Sequence, residues 1–288
     1  MRFWQAITWA ETGQLPEIAR FAEELGYHGL MGGDHAVYPE RIAPDYPYSD
    51  SGMPPMQPDD EYPEQHVLFA ALAAVTTRLR FTTGVYVLPV RNPHEVARAT
   101  ATLAILSGGR FVLGVGVGWM KEEFDIYGVD FRSRGKRTDE MIEVLRKLWS
   151  GEMVQHHGTH FDFPRVQLSP APAAAPPIYI GGTSEAALHR AARVGDGYIG
   201  AGTAPEHVAP LLARLEELRQ EYGRDHLPFE AMLGLTAEPR LELFQRMAAE
   251  GLESTVVPPF AFALGKRSSL DDKKRAMESF AERVMRHF

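Results

Sequence analysis

The 288-residue sequence contains no cysteine, and that absence removes disulfides, thiolate metal sites and cysteine nucleophiles together. Positive charge is in short supply as well. Lys and Arg number 30 against 38 Asp and Glu, a formal charge of −8, so no overall positive field attracts phosphate backbones and a nucleic-acid partner is not expected. No apolar run approaches the length of a membrane span. The opening MRFWQAITWAE is broken by Gln5, Thr8 and Glu11, too soon for a secretory h-region. The expectation is a cytoplasmic protein that binds neither membrane nor nucleic acid. Several catalytic signatures are also missing: there is no G-x-S-x-G, no Walker loop and no H-E-x-x-H.

What is present is an alternation of short β-branched or aromatic runs with amphipathic stretches. Strands are expected at Phe3–Thr8, Gly29–Gly33, Leu79–Val87, Arg110–Val117, Ile178–Ile180, Gly197–Gly200, Phe229–Thr236 and Ser254–Val257. Helices are expected after each in turn, over 15–25 with Gly26 as C-cap, 64–75, 92–106 opened by Asn92-Pro93, 135–149, 184–193, 205–222, 240–249 and 271–287. Eight strand–helix pairs over this length fit an α/β fold of the (β/α)8 TIM-barrel kind. The barrel would occupy residues 1–288 as one domain, with an insertion after strand two and a hairpin-like insertion before strand five. Two doubly wound halves flanking 151–177 are the alternative.

In a barrel, chemistry belongs at the C-terminal ends of the strands. At the fourth, GRFVLGVGVGW has glycine at 114 and 116 but Trp119 where a dinucleotide fingerprint needs a third glycine. It reads instead as a strand whose glycines leave one face bare, so that something flat could lie there. The second strand ends in Asp34-His35, and an imidazole at a barrel mouth suits proton transfer, with a capping or packing histidine as the plain alternative. The fifth ends in Gly181, Gly182, Thr183 and Ser184 at a helix start, where amides and hydroxyls suit a phosphate; a simple N-cap is the alternative. Gly84 within the third strand, before Val85 and Tyr86, suggests a bulge or a close ligand contact, with simple strand twist as the plain alternative. His156, His157 and His160 invite a metal reading but fit a solvated loop better, and no metal site is expected. The basic cluster of Arg132, Arg134, Lys136 and Arg137 fits a helix face paired with Asp139, Glu140 and Glu143 better than an anion site.

With these residues assembled, the chain resembles the bacterial luciferase-like family and, within it, the coenzyme F420-dependent oxidoreductases. The resemblance is strongest in VLPVRNPHEVARATATLAILSGGRFVLGVGVGW, EEFDIYGVDFRSRGKRTDEMIEVLRKLWSGE and PPIYIGGTSEAALHRAARVGDGYIG. It implies a deazaflavin across the barrel mouth, its ring against a non-prolyl cis peptide at Gly84–Val85, with Tyr86, Gly118 and Trp119 on the neighbouring strand ends. Gly181, Gly182, Thr183 and Ser184 would meet its phosphate region, and Asp34-His35 would match the family's Asp-His pair, with Asp34 among the cofactor-binding residues and able to orient or charge-stabilise His35 for proton transfer. A homodimer and a small-molecule substrate are implied too. In the family's sugar-phosphate dehydrogenases a glutamate follows the strand-four glycines; Trp119 stands here, so that activity is not carried over. The segment 36–62, proline-rich with four tyrosines, looks like a lid or substrate loop. The expected activity is hydride transfer between F420 and a small organic substrate. The alternatives are an FMN-dependent monooxygenase and a non-catalytic cofactor-binding barrel.

Overall fold

The computed structural model describes residues 1–47, 49 and 51–288. Eight parallel strands close a barrel: β1 Arg2–Ala6, β2 Gly29–Gly32, β3 Arg80–Thr83, β4 Phe111–Gly116, β5 Ile178–Gly181, β6 Gly197–Thr203, β7 Glu230–Leu235 and β8 Ser254–Val257. Each pairs with the next, and β1 closes on β8 with Phe3 opposite Thr255. The helices α1 Leu15–Leu25, α2 Gln65–Ala73, α3 Pro93–Leu106, α4 Arg134–Trp149, α5 Glu185–Val194, α6 Val208–Glu221, α7 Leu241–Ala249 and α8 Leu270–Arg283 follow the strands in order. This is the α/β TIM barrel expected from the sequence. Among the described residues no helix is long and apolar enough to cross a membrane.

The strands are buried on both faces, which is why they read as near-continuous apolar runs. One face fills the barrel with Trp4, Ala6, Val112, Tyr179, Ile199, Met232 and Val256. The other packs Phe3, Leu30, Phe81, Phe111 and Ile178 against the helices. Trp4 is fully buried, and its Nε1–H donates to Ser254 Oγ at 3.0 Å, so the interior absorbs an indole without an unsatisfied donor. Helix boundaries follow local chemistry: Gly26 ends α1 at φ +85°, and the Asn92 side chain accepts the amides of His94 and Glu95 at the start of α3.

The third strand departs from expectation. Instead of running unbroken from Leu79 to Val87 it stops at Thr83, and a two-residue piece, Tyr86–Val87, resumes beside β4 with Tyr86 opposite Val115. Gly84–Val85 between them is a cis peptide. The expected hairpin before β5 pairs Val154–His157 with Asp162–Val166. Most of it is exposed, as expected, but His156, Phe161 and Phe163 are buried. Glu140 of α4 accepts the amides of Thr159, His160 and Phe161 and meets His156 Nε2 at 3.2 Å, and His156 is buried. The histidines therefore differ in role: the buried His156 anchors the hairpin, while His157 pairs with Asp162 on its exposed surface. The acids of α4 also depart from the expected local pairing, since Asp139 reaches across to Arg190 and Arg193 of α5.

Candidate active site

At the end of β2 the chain turns because Gly33 N–H donates to Thr8 Oγ1 at 3.0 Å. The two residues that follow diverge. The Asp34 carboxylate accepts Val87 N–H at 3.0 Å and two bonds from Arg91 Nη2 at 3.0 and 2.9 Å. Burial holds the Asp34 carboxyl above its ordinary range, with Arg91 and the Val87 amide opposing that rise; the three hydrogen bonds from these two donors are the set a carboxylate accepts. Asp34 therefore ties β2 to the segment after β3. It does not orient His35, as the sequence had suggested.

The partner of His35 is Glu123, which lies in the short helix Lys121–Ile126 after β4. Its Oε2 is 3.1 Å from His35 Nδ1, and its Oε1 accepts Ala36 N–H at 2.8 Å. The Glu123 side chain is 1% exposed and that of His35 15%. A carboxylate has no hydrogen to give, so Nδ1 carries the ring proton and Nε2 is left as the acceptor. Sequence reasoning missed Glu123 because Glu122 beside it looks identical in one dimension. Only the helical turn sends one inward and the other to the Ala43 amide.

The bare glycine face of β4 is not open to a ligand. A Cβ on Gly114 would strike the Thr83 carbonyl and Ile199, and one on Gly116 or Gly181 would strike the side chain of Val85. The protein fills that space itself: Val85 lies across the top of the barrel between β4 and β5. Gly84 is similarly met by Met31. Val85 and Met31 remain only partly buried, and they cap the apolar interior. Tyr86 points the other way, 4% exposed beneath the Arg91 guanidinium at 4.7 Å and beside His66. Its side chain is thus part of the outer layer, contrary to its placement at the mouth. Gly118 takes φ +80°, and a Cβ there would meet Phe124 and Val87, so glycine is needed for the short helix to fold back and bring Glu123 under His35. Trp119 stands edge-on to His35 with ring centroids 5.8 Å apart.

At the end of β5, Gly182 adopts φ +124°, and Thr183 and Ser184 are exposed. The Ser184 hydroxyl accepts Ala187 N–H at 3.3 Å, so it acts as the N-cap of α5. The earlier amides of this turn have no intrahelical partner and point outward, which is the donor set an anion uses. Glu185 in the first turn would oppose an anion, but Arg214 pairs with it at 2.5 Å.

An imidazole held by a buried carboxylate, beside a non-prolyl cis peptide at the C-terminal mouth of a closed barrel, defines a (β/α)8 enzyme with its site in the usual place for that fold. The luciferase-like monooxygenase profile matches residues 5–240, and the chain belongs to that family of oxidoreductases. It is 38% identical to an uncharacterized protein of Mycobacterium tuberculosis over 93% of each chain. It is 33% identical to the F420-dependent hydroxymycolic acid dehydrogenase of the same species, over 74% of this chain and 56% of that one. Among solved structures it resembles the monooxygenase RslO1 of Streptomyces bottropensis, with TM-score 0.78 and 21% identity over 100% of this chain and 99% of that one. The F420-dependent tetrahydromethanopterin reductase of Methanopyrus kandleri matches with TM-score 0.76 and 14% identity over the same shares. These last two likenesses show the fold.

Proposed function

We propose that the protein transfers a hydride between coenzyme F420 and a small organic substrate, with His35 Nε2 taking or giving the accompanying proton. The observation that carries this reading is the His35–Glu123 pair at 3.1 Å, which leaves Nε2 as the acceptor at the barrel mouth. The residues fit a deazaflavin on two counts. Val85 offers a partly exposed apolar platform for a flat ring, and the outward amides after Gly182 offer donors to a phosphate. When bound, the deazaflavin supplies a two-electron hydride donor or acceptor without activating oxygen. Asp34 takes part by fixing the segment that carries Val87, and Gly84, Gly118 and Gly181 by the space they leave. Trp119 closes the side of the mouth against His35. The relatives' names support F420, the strand–helix alternation supports a single barrel unit over 1–288, the composition supports a cytoplasmic place, and the resemblance supports a homodimer.

Titrating the purified protein separately with F420 and with FMN, and identifying any copurified ligand by absorbance and mass spectrometry, tests the reading. Saturable F420 binding that a Gly182→Leu variant loses is expected. Preferential FMN binding would favour the monooxygenase alternative, and F420 binding with no turnover on any substrate the non-catalytic one.

A further inference from the structure

Six rings form a continuous arc along one side of the barrel mouth. Phe262 lies 5.7 Å from Trp9, whose Nε1–H donates to Tyr62 OH at 2.6 Å; Tyr62 is 5.4 Å from His35, His35 5.8 Å from Trp119, and Trp119 5.0 Å from Tyr46. The arc draws on the ends of β1, β2, β4 and β8 and on the insertion, and each of its rings keeps part of its surface open. The ends of β5 and β6 opposite carry only small residues, Gly182, Thr183, Ser184, Ala201 and Gly202. The mouth thus has an aromatic half and a small, hydroxyl-bearing half, and His35 stands within the aromatic one.

We propose that the aromatic half is the substrate site and that it selects an uncharged apolar alcohol or ketone, ring-bearing or branched, over sugar phosphates and other anions. This rests on the oxidoreductase reading given above. Three observations set the class. Partly exposed ring faces around a proton acceptor favour an apolar body with one polar end. The cations on the β8 side are already paired, Lys266 with Asp60 at 2.6 Å and Arg267 with Asp59, so neither is left over for a phosphate. The buried carboxylate of Glu123 behind His35 adds negative charge where an anionic substrate would sit.

The arc is built at some cost, which marks it as more than incidental surface. Trp9 holds φ +62°, a conformation that bulky side chains seldom take, and the bond to Tyr62 fixes its indole toward the mouth. Burial raises the Tyr62 hydroxyl above its ordinary pKa, so it stays a neutral phenol. Tyr46 and Tyr62 come from the insertion, which makes that segment the specificity element. In the oxidative direction the alcohol loses a hydride to the bound deazaflavin and its hydroxyl proton to His35 Nε2, becoming a carbonyl; the ketone gains both in reverse.

Isothermal titration of the cofactor-free protein with acetophenone and with glucose 6-phosphate tests the proposal, using wild type, Trp119→Ala and Tyr46→Ala. Saturable acetophenone binding, weakened about fivefold or more in each variant, is expected, with none for glucose 6-phosphate. Tighter binding of glucose 6-phosphate, no saturable binding of acetophenone, or acetophenone affinity unchanged in both variants would overturn it. An F420 titration of the same samples separates the two readings: acetophenone binding without any F420 binding would leave the apolar site standing and remove the F420 assignment.

Discussion

Replacing Glu123 with glutamine keeps the shape of a buried side chain and removes its charge, and the surroundings decide which way the new amide faces. Ala36 N–H donates to Oε1 at 2.8 Å, so an oxygen must remain there. The amide nitrogen is then aimed at His35 Nδ1, 3.1 Å from the Oε2 position. An NH2 group cannot accept a hydrogen bond, so Nδ1 must become the acceptor and the neutral ring must carry its proton on Nε2. The nitrogen that accepts a proton in the native site is thereby turned into a donor. A positioned general base contributes about 10²–10⁴-fold to rate, and the Glu123→Gln variant should lose kcat on that scale while its F420 affinity stays within about threefold. The tautomer can be read without any substrate, by heteronuclear NMR of the histidine ring nitrogens. A variant whose His35 keeps its proton on Nδ1, or one with undiminished kcat, would refute this reasoning.

Gly116→Ala places a methyl against Val85 Cγ2, and overpacking of this kind should destabilise the barrel by about 1–3 kcal/mol in chemical denaturation. Adding Val85→Ala removes the collision, so the double variant should lose less than the sum of the two singles; strict additivity would mean that the contact is not as described. Glu23 is opposed by burial, yet the amides of Arg78, Leu79 and Thr77 hold its pKa down at about 2 against an ordinary 4.5. A carboxyl lowered by folding stabilises fully above its unfolded pKa and loses that contribution as pH falls from about 4.5 toward 2. The Tm gap between wild type and Glu23→Gln should therefore be open at pH 7 and close across that window, and a gap constant with pH would count against it.

The barrel was legible in one dimension because burial on both faces gives each strand an apolar run, and because helix ends announce themselves in residues such as Gly26 and Asn92. His35 was legible for the same reason, since a strand end in a barrel is a mouth position whatever surrounds it. The partner of His35 was not legible. Asp34 is adjacent in sequence, but successive residues leaving a strand point apart, and its carboxylate is claimed by Arg91, 57 residues on. Glu123 arrives from 88 positions away through a turn that only Gly118 permits. The glycines of GRFVLGVGVGW signalled a face without side chains, and the sequence could not say what would occupy it. Occupancy is a property of three-dimensional space: Val85 and the Thr83 carbonyl reach that face from the end of β3, and Ile199 from β6 across the barrel interior. Composition and periodicity thus determined the architecture, which depends on local pattern, while the pairing of charges and the filling of space waited for the tertiary structure, because both are settled between residues far apart in the chain.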